Sequence, residues 1–178
     1  MSEFDIANRL IRWEERVTIA PKFISVEHAY IHAGNAFQVN ISATASTGMK
    51  KYVLKTDVTK YVHLRPVQIA IPSGECILGL FETTLTSSGS AVEPVHNHNR
   101  NSAITAQSVL YSGATSTSGT LLDKFVVYGG SGPGKMEIGA SERQIREWVL
   151  RRNTGYRLQL ETTVDFNMNL FWYEEADG

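Results

Sequence analysis

A single cysteine, Cys76, leaves this chain no partner with which to close an internal disulfide. At 178 residues it needs none, because a domain of this size buries about two-thirds of the surface that its unfolded chain exposes. The lone thiol lies in the apolar run Cys76-Ile77-Leu78, the setting of a small core residue. A nucleophilic thiolate needs a neighbouring cation or a helix N-terminus, which this run does not provide. An excess of charge of one sign is missing too. Seventeen Lys and Arg against eighteen Asp and Glu give a net charge of −1, so no overall field draws nucleic acid or an anionic membrane, and neither is expected as a partner. Nowhere do 18 apolar residues run together. Glu3, Asp5, Arg9 and Arg12 interrupt the N-terminal stretch, which therefore lacks the apolar centre of a signal peptide. The expected setting is cytosolic, where the sequon Asn40-Ile41-Ser42 amounts to three strand residues.

Catalytic signatures are equally scarce. There is no Gly-x-Ser-x-Gly elbow and no His-Glu-x-x-His pair. The carboxylates Glu14, Glu15, Glu82, Glu93, Glu142, Glu147, Glu161, Glu174 and Glu175 are scattered, mostly at positions that face solvent in a strand reading. A glycosidase needs two carboxylates held about 5–10 Å apart, and no spacing here places a pair. The stretch Phe125 to Tyr128 followed by Gly129-Gly130-Ser131-Gly132-Pro133-Gly134-Lys135-Met136 approaches a phosphate-cradling loop. It misses, because Met136 replaces the hydroxyl that would hold Mg²⁺ and Pro133 removes a backbone donor. We read it as a glycine loop at a strand end, and expect no catalytic set and no cofactor.

The polar stretch His96-Asn97-His98-Asn99-Arg100-Asn101-Ser102 supports two readings. Histidines two apart on an extended segment point the same way, and with His63 or Glu82 as a distant third ligand they would make a metal enzyme of cupin-like shape. A metal site needs third and fourth ligands at recognisable spacing, which are lacking. In the plainer reading the Asn and Ser side chains hydrogen-bond their own backbone to fix a tight loop, with Arg100 paired to a carboxylate.

Periodicity is what the sequence has in quantity. Ser2 can cap a first helix, with Glu3 and Asp5 in its first turn and Ile6, Leu10, Trp13 and Val17 on one stripe. This predicts a short amphipathic N-terminal helical arm over residues 1–20, ended near Pro21, part of which packs on a neighbouring subunit. From Phe23 to Tyr30 the pattern turns to period 2, which predicts a strand. Further runs cover Phe37 to Ala43, Lys51 to Val58, Tyr61 to Ile71, Cys76 to Leu85, Ala103 to Tyr111 and Leu121 to Tyr128, separated by Gly/Ser/Pro turn clusters. Closing strands follow: Glu147 to Leu150, then Tyr156, Leu158 and Leu160 alternating with Arg157, Gln159 and Glu161, then Asn169 to Tyr173. Many strands at about ten-residue spacing without intervening helices argue for an all-β chain. The expected fold is an antiparallel jelly-roll-like β-sandwich over residues 21–178, with the last strand inside its core.

The motif core Asn-x-Asn-Arg-x-Ser within Asn97 to Ser102, the Gly129-Gly130 loop, Glu147-Trp148-Val149-Leu150, Asn153-Thr154-Gly155-Tyr156 and Phe171-Trp172-Tyr173-Glu174 together resemble a family of tailed-bacteriophage virion proteins. These are small head proteins found with the major capsid protein, and the likeness extends to the amphipathic start and a strand around Glu27-His28. The resemblance implies a jelly-roll capsid decoration, or cement, protein. Such a protein assembles in the bacterial host cytoplasm and sits on the capsid exterior of the virion. It bridges capsomers of the major capsid protein and associates with itself as a homodimer or homotrimer. Phe4, Leu10, Trp13, His96, His98 and Arg100 are then the expected interface residues. The alternative is a phage tail or receptor-binding module whose Trp172 and Tyr173 stack on glycans.

Overall fold

A computed structural model of the chain describes residues 26–44, 49–129 and 147–176. One short helix, α1 (Val26–Ala33), is followed by β1 (Ala36–Ala43), β2 (Met49–Lys55), β3 (Lys60–Leu64), β4 (Gln68–Ala70) and β5 (Glu75–Thr83). Next come β6 (Leu85–Ser87), β7 (Ser90–Ala91), β8 (His96–Asn97), β9 (Val109–Ser112), β10 (Thr115–Ser116) and β11 (Thr120–Tyr128). The last strands are β12 (Trp148–Leu150), β13 (Gly155–Thr162) and β14 (Phe166–Ala176).

The strands form two main sheets, ordered β12-β3-β14-β1-β8 and β11-β5-β13-β2-β9-β7, with β4 also on β14 and a small β6/β10 pair. Every pairing is antiparallel. The chain crosses between the sheets from β1 to β2, from β2 to β3 and from β4 to β5; β5, β7, β9 and β11 belong to the second sheet, β8 returns to the edge of the first beside β1, β6 and β10 form the small pair, and the chain crosses again at β12, β13 and β14. The four-strand cores β1-β14-β3-β12 and β2-β13-β5-β11 have the strand order of a jelly roll, the antiparallel sandwich read from the sequence. The last described strand, β14, lies between β1 and β3 with no free edge over most of its length.

The core follows from alternation. Phe37, Val39 and Ile41 of β1 and Phe166, Met168, Leu170 and Trp172 of β14 face Cys76, Leu78 and Leu80 of β5 and Tyr156, Leu158 and Leu160 of β13, all buried. Each large apolar side chain removed from water in this way contributes about 1.5–3 kcal/mol. Burial pushes the Cys76 thiol up to about 11, against an opposing hydrogen bond with Thr162, so the thiol stays protonated inside the core.

Five sequence expectations change. Residues 26–30 of the predicted first strand, Phe23 to Tyr30, are helical, in a helix that runs to Ala33. Gly34, at φ +76°, ends α1 by donating to Ile31 O at 3.0 Å, and Asn35 N donates to Tyr30 O at 2.9 Å, a C-terminal cap that an extended segment cannot form. The run Tyr61 to Ile71 splits into β3 and β4 at Arg65-Pro66, where proline has no N–H for a ladder. Ala103 to Tyr111 is a strand only from Val109; residues before it form a loop tied to a buried carboxylate. Arg157, assigned to a wet face, is 7% exposed, and Glu174 is 1% exposed. Trp172 and Tyr173, proposed to stack on sugars, are 0% and 3% exposed, which removes the surface on which the glycan-binding alternative rested.

Candidate functional site

The outer face of the first sheet carries the densest polar and aromatic constellation among the described residues. Alternation along β3 and β14 turns His63 and Tyr173 outward as cross-strand partners, while Val62, Leu64 and Trp172 turn inward. Helix α1 lies over this face and places Tyr30 on Tyr173, rings stacked at 4.4 Å and 18°; Tyr173 also stacks on His63 at 4.4 Å and 13°, and the Tyr30 and His63 ring centroids are 6.4 Å apart.

Carboxylates converge on the stack from two chain segments. His63 Nδ1 lies 2.6 Å from Glu147 Oε1 and Nε2 lies 3.0 Å from Glu175 Oε2. A carboxylate can only accept, so meeting both contacts at once requires hydrogen on both ring nitrogens. Tyr173 OH donates to Glu147 Oε1 at 2.6 Å, and Arg65 links Glu147 (3.6 Å) to Glu27 of α1 (3.3 Å). Burial alone raises the Glu147 pKa, yet hydrogen bonds from Tyr173 and His63 and the charges of His63 and Arg65 outweigh it and hold the carboxyl below its ordinary value. Burial, then a hydrogen bond to Glu175 and the charges of Glu175 and Glu147, pushes the Tyr30 phenol up to about 12. Burial and Glu147 likewise raise Tyr173. Near neutral pH the phenols are therefore protonated and Glu147 is ionised and paired. The arrangement fastens α1 and the segment before β12 to the sheet.

The Asn-rich loop completes this face. Asn97 Oδ1 accepts from Asn99 N (2.9 Å), Asn99 Oδ1 from Asn101 N (3.1 Å) and Ser102 Oγ from Ile104 N (3.1 Å), the local side chain to backbone bonding of the plainer sequence reading. The same side chains reach outward. Asn99 Nδ2 donates to His32 O at 3.0 Å and Asn97 Nδ2 to Gly34 O at 2.7 Å, so the loop satisfies carbonyls at the C-terminal end of α1. An open groove of about 410 Å³ runs beside it, lined by Phe37, Val92, Pro94, Val95, Ile104 and Leu110.

His96 is exposed on β8, opposite Gln38 of β1. His98 packs its ring edge on Phe171 at 4.6 Å and 75°, with Nε2 2.8 Å from Gln38 Oε1; partial burial lowers its pKa, opposed by the charge of Glu27. Both are exposed at the face, but not with the expected third ligands, since His63 is held by Glu147 and Glu175 and Glu82 by Arg151 and Tyr156. Among the described residues no group of three or more His, Cys, Asp or Glu is placed to hold a metal ion. Arg100 is exposed, and no described carboxylate pairs with it, contrary to the expected ion pair. Phe4, Leu10 and Trp13, with the whole of the expected N-terminal helical arm, lie outside the described residues, as do Glu142 and the expected glycine loop beyond Gly129. Sequence reasoning missed Tyr30, Glu174, Arg157 and the helical pair His28 and His32; only the last leaves a local signal, the spacing His-x-x-x-His.

Compared with protein families, with curated proteins and with solved structures, the chain finds no significant match.

Proposed function

We propose that this chain is a virion structural protein of a tailed bacteriophage, a capsid decoration protein that binds outside the assembled head and bridges capsomers of the major capsid protein. The observation that carries the reading is how the segments of the resemblance meet. Asn97 to Ser102 caps α1, Tyr30 of α1 stacks on Tyr173 of Phe171-Trp172-Tyr173-Glu174, and Tyr173 bonds Glu147 of Glu147 to Leu150. Pieces far apart in sequence thus stabilise one another, which supports a likeness of the whole domain and not of a short motif. Jelly rolls recur in viral capsids, lectins and cupins, so the fold is compatible with the role without assigning it.

A decoration protein needs surface complementarity and no chemistry. It binds the assembled lattice in preference to free subunits, so by mass action each contact stabilises the shell against the outward pressure of packaged DNA. A stable contact buries about 1,200–2,000 Å² in total, which this domain supplies most readily as a homodimer or homotrimer spanning neighbouring capsomers. Cryo-electron microscopy of purified virions tests the reading. Density fitting the sandwich outside the capsid floor is expected, and density for it in the tail overturns it.

A further inference from the structure

We propose that His28 and His32 form a two-point site for a divalent transition cation on the exposed side of α1. The two residues are one helical turn apart, and both are exposed. Their Nε2 atoms lie 2.9 Å apart, with ring centroids at 4.5 Å and planes at 68°. Two metal–nitrogen bonds of about 2.0–2.1 Å meeting at a right angle span about 2.9 Å, whereas a tetrahedral angle spans about 3.3–3.4 Å. The separation therefore fits adjacent positions of a square-planar or octahedral ion. Cu²⁺ and Ni²⁺ combine that geometry with the highest affinities for imidazole among divalent first-row ions.

The backbone that carries the pair is already fixed, so little ordering is left for binding to impose. Tyr30, between the two histidines in sequence, is stacked on Tyr173; Gly34 closes the helix; and Asn99 holds the His32 carbonyl. His32 also lies in the last turn of α1, where the helix dipole favours a cation. As the structure stands, one ring donates to the other across the 2.9 Å contact. Coordination by both Nε2 atoms requires the donating ring to move its hydrogen to Nδ1. With both rings neutral no proton is lost, and water fills the remaining positions on the ion.

Calorimetric titration of the full-length chain with NiCl₂ tests the site, beside a His32→Ala variant, which replaces an exposed helical residue with the best helix former. Loss of one of two chelating ligands is expected to weaken binding about tenfold or more, while His96→Ala binds like the parent. In a second measurement, CuCl₂ is expected to broaden amide resonances of α1 first, and His32→Ala to abolish that pattern. Equal Ni²⁺ affinity in parent and His32→Ala, or broadening centred elsewhere, overturns the proposal.

Discussion

Replacing Glu174 by alanine removes one carboxylate and strands several partners at once. Its side chain is fully buried at the end of β14, on the core side next to Trp172. It accepts from Gln107 N at 3.0 and 3.1 Å, from Ser108 N at 2.8 Å and from Trp172 Nε1 at 3.3 Å, with Lys60 Nζ at 3.7 Å. Two backbone donors and one indole donor lose their partner in the variant, and each buried donor left unsatisfied costs about 1–3 kcal/mol. Water entering the vacated space recovers part of this, and Lys60, still partly exposed, keeps its own hydration. A net loss of about 3–5 kcal/mol is expected, the range for breaking a buried charged contact. That is a large part of a typical stability of about 5–15 kcal/mol. For a domain of this size it corresponds to a fall in melting temperature of about 6–20 °C. Glu174→Gln keeps one acceptor oxygen and should lose less, about 1–3 kcal/mol. Denaturant unfolding gives the magnitudes, and amide exchange at Gln107 and Ser108 gives the location, since both amides should lose protection before the β5 and β13 core does. A Glu174→Ala variant within 1 kcal/mol of the parent, with these two amides still protected, would refute the reasoning.

Arg157 fastens the arch after β10 to the second sheet, donating to Thr117 O (2.7 Å) and Ser118 O (2.6 Å) with its guanidinium 4.6 Å from the Phe81 ring centroid. Arg157→Met should cost about 1–3 kcal/mol and open residues 116–119 to proteolysis, and Arg157→Lys should rescue it poorly because an ammonium lacks the fork. Gly34→Ala places a Cβ at φ +76° against the Ser102 side chain; a loss of about 1–2 kcal/mol is expected by thermal melting, and none would argue against the cap. The Glu147 carboxyl is held below its ordinary value in the folded chain, so its contribution is present above the ordinary carboxylate pKa of about 4.3 and is lost as pH falls through the lowered folded value. Glu147→Gln should therefore flatten the acid side of a stability curve measured between about pH 5 and 3, and an unchanged slope would contradict the pairing with His63, Tyr173 and Arg65.

The fold class was legible because it rests on local pattern. Tyr156, Leu158 and Leu160 in β13 and Leu170 and Trp172 in β14 sit at period 2, and any antiparallel sandwich that buries one face of each strand satisfies them. The internal bonding of the Asn97 to Ser102 loop was legible for the same reason, since each of those side chains bonds a backbone N–H two residues away. The alternation from Phe23 to Tyr30 misled because eight residues of mixed polarity suit a strand or a helix equally well. What decided it was remote: Tyr173 beneath Tyr30, and Asn97 and Asn99 meeting carbonyls at the helix end.

Burial of charge lay further out of reach. Arg157 and Glu174 occupy ordinary strand positions, and only the return of residues 107–108 and 116–118 over the sandwich supplies the partners that let them leave water. Composition and periodicity thus determined that this chain is a disulfide-free antiparallel sandwich, because hydrophobic burial answers to spacing along the strand. The tertiary structure decided which polar groups belong inside it and how α1, the Asn loop and Glu147 share one face, because a hydrogen bond or ring stack between residues distant in sequence leaves no mark on either until the chain has folded.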